Sequence, residues 1–104
     1  MKIVQAGAQK SATLPITFPA IGACQIELFL SADGGNTKAA SSGKQAFNPT
    51  GTAQDVVLII TMPTAGGIYT AYGDVWFGGA IVWGFYDLEE LAVLIGTVGP
   101  IVWT

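Results

Sequence analysis

An all-β domain is what this sequence predicts, on three observations. Apolar residues do not recur at helical spacing, β-branched and aromatic residues gather into short runs, and 14 glycines with 5 prolines divide those runs. The runs follow one another about eight to twelve residues apart, which is the rhythm of a sandwich or barrel of about seven to nine short strands. At 104 residues the chain is one domain, residues 1–104, and folding is expected to bury roughly two-thirds of the surface that the unfolded chain exposes.

The elements follow in order. Residues 14–18 form a first strand, ended by Pro19. From Cys24 the chain alternates, with Cys24, Ile26, Leu28 and Leu30 on a core face and Gln25, Glu27, Phe29 and Ser31 on the other. Asp33-Gly34-Gly35-Asn36 then turns the chain. Residues 37–47 are small and polar, suited to an exposed edge strand or a loop. After the Asn48-Pro49-Thr50-Gly51 turn, residues 56–62 are apolar on both faces, as expected of a central strand covered on both sides, and Pro63 ends it. Residues 68–77 and 80–87 read as a hairpin closed by Gly78-Gly79. Residues 91–95 and 101–103 read as short closing strands, separated by Gly96, Gly99 and Pro100.

The run Ile59-Ile60-Thr61-Met62-Pro63-Thr64-Ala65-Gly66-Gly67-Ile68-Tyr69-Thr70-Ala71-Tyr72-Gly73-Asp74-Val75 resembles the late strands of adhesion-type immunoglobulin-like modules. In those modules a strand ends at proline and a Gly-x-Tyr turn opens the next. The resemblance covers roughly residues 54–87. It implies an immunoglobulin-like antiparallel β-sandwich, and such modules serve as spacers, adhesins, and decorations on phage capsids and tails. This chain departs from the antibody pattern, having one cysteine, Cys24, and no tryptophan between paired cysteines. The family's functions are too varied for any active residue to carry over.

A tight Gly78-Gly79 turn fixes a register: Phe77 opposite Ala80, Trp76 opposite Ile81, Val75 opposite Val82, Asp74 opposite Trp83 and Tyr72 opposite Phe85. One face then carries Tyr69, Ala71, Gly73, Val75, Val82 and Tyr86, matching a thin core. The other carries Thr70, Tyr72, Asp74, Trp76, Ile81, Trp83, Phe85 and Asp87. Asp74 and Asp87 mark this second face as the outward one, because an unpaired carboxylate in a core costs several kcal/mol. Three readings of the aromatic face stand side by side: cover within the subunit, through swapped faces or the closing strands and Trp103; a subunit interface; or a sugar-stacking platform with Asp74 and Asp87 bonding hydroxyls.

Composition narrows the function. Charged residues make up 11% and hydrophobic ones 51%, against a usual charged share of about 25%, and so poor a charge favours association. A formal charge of -3 with four basic residues offers no phosphate-neutralising patch, so nucleic acid is not an expected partner. A lone cysteine gives no internal disulfide, and Cys24 at the head of an apolar face reads as a small buried residue. Residues 1–12 lack the apolar core of a signal peptide, and no run reaches the ~18 apolar residues of a membrane helix. Synthesis in the cytosol is therefore the expectation, with a virion or assembled particle as the destination that fits assembly.

The absence of histidine removes Ser-His-Asp and Cys-His nucleophiles and most zinc sites. The seven acids, Glu27, Asp33, Asp55, Asp74, Asp87, Glu89 and Glu90, would have to flank a cleft to act as a glycosidase pair, and a sandwich this small has little room for one. Asp87 with Glu89 and Glu90, or Asp33 with Asn36, could offer oxygens to calcium, but no EF-hand spacing is present, and both read as solvated turns. No glycine pair precedes Lys-Ser or Lys-Thr, so there is no phosphate loop. Lys38 and Lys44 guard an edge.

The sequence thus predicts a non-enzymatic structural domain without cofactor or metal, a homo-oligomer or part of a larger assembly such as a viral particle or filament. Contact is expected through Tyr72, Trp76, Trp83 and Phe85, with residues 100–103, including Trp103, as a strap added to a neighbour's sheet. The alternative is a carbohydrate-binding module that uses the same aromatics on a polysaccharide.

Overall fold

A computed structural model describes residues 1–96, 100, 102 and 103, with residues 85–89 as backbone only. Eight strands are present among them and no helix: β1 Lys2–Gln5, β2 Gln9–Thr17, β3 Cys24–Ser31, β4 Ala40–Ser41, β5 Gln45–Phe47, β6 Ala53–Thr61, β7 Gly67–Phe77 and β8 Ala80–Leu94. The larger sheet runs β1-β8-β7-β3-β4, with β5 also on β3, and the smaller sheet is β2 with β6. Every pairing is antiparallel except that of β1, which lies parallel to β8 with Lys2 opposite Leu91. No helix in the described part is long and apolar enough to cross a membrane.

The core lies between the sheets and follows the alternation of β3. Cys24, Ile26, Leu28 and Leu30 are all buried, and they meet Val56, Leu58, Ile60 and Met62 from β6 and its end, with Tyr69, Ala71 and Val75 from β7. Each of the Ile, Leu, Val and Met side chains among them contributes roughly 1.5–3 kcal/mol by leaving water. Leu91, Val93 and Val4 extend this core under β1 and β8. The molecule is elongated, 67 Å along its longest axis, with a radius of gyration of 16.6 Å against about 13 Å for a compact chain of this length.

Several expectations are corrected. The strand expected at residues 14–18 begins at Gln9, runs through Pro15, and is preceded by β1, which hydrophobic patterning did not mark. The segment read as a central strand is β6, which belongs to a two-stranded sheet and buries one face only; Val57 and Ile59 point outward, 56% and 57% exposed. Apolar character on both faces here records an uncovered outer surface rather than cover on both sides. The closing strand expected at residues 91–95 is the end of β8, unbroken from Ala80. Of the expected strand at 101–103, Val102 and Trp103 are outside any strand, and Ile101 lies outside the described residues.

The Gly78-Gly79 hairpin is present. Both glycines have positive φ, 62° and 81°, the conformation of a two-residue turn whose twist matches the flanking strands. Phe77 faces Ala80 and Trp76 faces Ile81 as expected, but Val75 then faces Trp83, Asp74 faces Gly84, Gly73 faces Phe85 and Tyr72 faces Tyr86. A bulge at Val82 places one extra residue on β8, and this one-residue slip moves Trp83 to the other face; a second irregularity falls between Thr70 and Tyr72.

Candidate functional site

The bulge divides the aromatic cluster in two. Tyr72 and Trp76 stay on the outer face of β7, opposite Phe29 and Gln25 of β3. Trp83, as the partner of buried Val75, sits on the inner face, where the single outward patch expected from the sequence does not include it. Phe85 pairs through its backbone with Gly73, and its side chain, like those of Tyr86 and Asp87, lies outside the described residues.

On the outer face the remaining rings are covered by the chain itself. Tyr72 stacks on Phe29, with centroids 5.4 Å apart and planes 12° from parallel. Lys38 lies 4.8 Å from the Phe29 centroid, and Lys44 lies 3.6 Å from that of Trp76, contacts in which an ammonium meets the negative face of a ring. Lys38 also donates to Glu27 Oε1 at 2.9 Å, and Ser41 Oγ donates to Glu27 Oε2 at 2.6 Å. Burial pushes the Glu27 carboxyl up, but the Ser41 and Lys38 hydrogen bonds and the charges of Lys38 and Lys44 outweigh it, holding its pKa below the ordinary value. The edge segment 37–47 is thus a cap over the outer face, a role that sequence patterning gave no sign of. Trp76 Nε1 is buried there without a hydrogen-bond partner.

The candidate calcium loop at Asp33 is occupied by its own groups. Asp33 Oδ1 accepts from Ser31 Oγ at 2.6 Å and from Thr37 N at 2.8 Å, and Asn36 Nδ2 donates to the Asp33 carbonyl. The Ser31 and Thr37 hydrogen bonds bring the Asp33 pKa down to about 2.

The opposite flank is open. The sheets approach each other where β6 packs on β3 and β4, whereas β2 leaves a cleft of about 920 Å³ facing the larger sheet. Ala12, Leu14 and Ile16 of β2, with Phe18 beyond it, alternate toward the core yet remain only half-buried. Leu28, Leu30 and Val75 form part of the cleft wall, Trp83 stands in it 58% exposed, and Lys2 and Lys10 line it too. Among the described residues β2 pairs only with β6, and β8 between Ala80 and Glu90 pairs only with β7, because β1 covers Leu91 to Leu94 alone. Two strand edges without partners therefore flank an apolar cleft, and such edges are templates for another strand.

Trp103 is 86% exposed and Val102 83%, so neither covers the aromatic residues. The cleft itself could be anticipated only from the alternation of Ala12, Leu14, Ile16 and Phe18, which shows an inward face without showing that the opposing strands stand away from it. In comparisons with known proteins, no family model, no curated protein and no solved structure matches this chain.

Proposed function

We propose that this chain is a non-enzymatic structural subunit of immunoglobulin-like type that works by self-association, or by docking into a larger assembly such as a viral particle or filament, through the open flank. The observation that carries the reading is the cleft bounded by the β2 and β8 edges, with Trp83 standing in it. Apolar surface of that kind on a small, charge-poor domain marks a protein partner.

Connectivity supports the fold assignment. In the immunoglobulin plan, strands B and E share one sheet and C, F and G the other. Here β2 and β6 share one sheet and β3, β7 and β8 the other, a division that supports the reading. The Tyr69 hydroxyl donates to the Ala65 carbonyl at 2.8 Å, a tie from a strand start to the preceding corner of the kind such sandwiches use. On this reading β2 corresponds to strand B, and the side on which that plan sets strand A has no strand among the described residues.

The sugar-platform alternative loses its surface on the outer face, since Phe29 and Lys44 already cover rings of Tyr72 and Trp76. Light scattering at micromolar concentration tests the proposal: a defined oligomer or growing assembly is expected. A monomer that is retarded on polysaccharide gels would replace it with the sugar reading, and a monomer indifferent to sugars would remove both.

A further inference from the structure

We infer that the cleft between β2 and β8 receives the C-terminal segment of a second copy of this chain, residues 100–103, as an added strand; the inference rests on self-association through the open flank. Two unsatisfied features of one chain complement each other. The cleft offers half-buried Leu14 and Ile16, an exposed Trp83, and strand edges whose outward backbone groups have no partner among the described residues. The segment offers Val102 and Trp103, the most exposed large apolar residues described.

A strand fits this cleft better than a compact ligand does. It supplies backbone donors and acceptors to the edges and side chains at alternate positions to the apolar wall, so one element meets both needs. Residues 91–104 contain no charged side chain, so residues 100–103 carry none into the cleft. Lys2 and Lys10, which line the cleft and form no salt bridge among the described residues, disfavour a basic segment from elsewhere. Because Val102 and Trp103 are consecutive, an extended strand turns only one of them toward the wall; Trp103 alone brings on the order of 200 Å² of mostly apolar surface, and the backbone carrying it adds toward the ~800 Å² per partner of a standard interface.

The contact is heterologous, tail into cleft. Each subunit then has one occupied cleft and one donated tail, an arrangement that closes into a ring or propagates as a filament. Pro15 on β2 removes one donor from that strand, and this restricts the register in which the incoming strand can bond.

Complementation between two full-length variants tests the inference. Trp83→Asp spoils the cleft and keeps the tail, and Trp103→Asp spoils the tail and keeps the cleft; Phe18→Asp serves as a second cleft variant should the first not fold. Each variant alone is expected to sediment as a monomer with a native β spectrum, and an equimolar mixture is expected to form a heterodimer. Variants that alone keep the parent's assembled mass, or a mixture that stays monomeric, would overturn tail exchange while leaving self-association in place. A parent chain that is itself monomeric would overturn both.

Discussion

Trp83 is paired with Val75 across β7 and β8, yet Val75 is buried while Trp83 stands 58% exposed over the cleft. The difference arises because β7 is interior to the larger sheet, whereas β8 at that height has a partner on one side only. A half-exposed side chain contributes little to the core. Trp83→Asp is therefore expected to lower folding stability by no more than about 1 kcal/mol, measured by urea unfolding, while the apparent mass falls to that of a monomer. A loss of several kcal/mol would place the indole in the core instead.

Ile26 has no exposed surface, and it lies at the centre of the β3 contribution to the core. Ile26→Ala is expected to cost about 2–5 kcal/mol, because the lost transfer energy is added to that of a cavity the packed sheets cannot close. The denaturation midpoint reads this directly, and a change below about 1 kcal/mol would mean that the sheets are loosely packed there.

How much of this was legible in the sequence depends on contrast. The alternation Cys24, Ile26, Leu28, Leu30 stands against the mostly polar Gln25, Glu27, Phe29 and Ser31 and marks β3 and its core face, though not that Glu27, Phe29 and Ser31 are buried on the other face as well. The glycine pair fixed the turn. Ile81, Val82 and Trp83 are all apolar, so nothing in the pattern marks which of them is the extra residue, and the bulge that reassigns Trp83 was invisible. Val57 and Ile59 misled for a related reason: an apolar residue on an uncovered face looks the same as one on a covered face until the neighbouring strands are placed. Lys38 and Lys44 lie in a segment without periodicity, and only tertiary structure brings them over Phe29 and Trp76.

Acid is expected to weaken the fold in a defined window. Glu27 and Asp33 have folded-state pKa values below their ordinary 4.5 and 3.8, that of Asp33 about 2. A depressed folded pKa gives stability that is present above the unfolded value and lost as pH falls through the folded one. The melting temperature is expected to hold down to about pH 5 and to decline below it. Glu27→Gln is expected to flatten the upper part of the decline, and Asp33→Asn the lower part. A melting temperature independent of pH across this range would contradict the Lys38–Glu27–Ser41 cluster and the Asp33 turn.

Gly79 sits at φ +81° with open space where a Cβ would be, so a substitution there meets backbone strain and no clash. Gly79→Ala is expected to cost about 1–2 kcal/mol, and Gly79→Asn less, since asparagine tolerates the left-handed region. Equal costs from thermal melts of the two variants would show that the turn rearranges.

Amide hydrogen exchange at low and high protein concentration bears most directly on the open flank. If copies join there, the amides of β2 that do not bond to β6 are expected to slow markedly as concentration rises, together with those on the free edge of β8, while exchange at the outer-face loop around Asp33 stays constant. Assembly that grows with concentration while β2 and β8 exchange unchanged would put the contact on another surface and contradict the account.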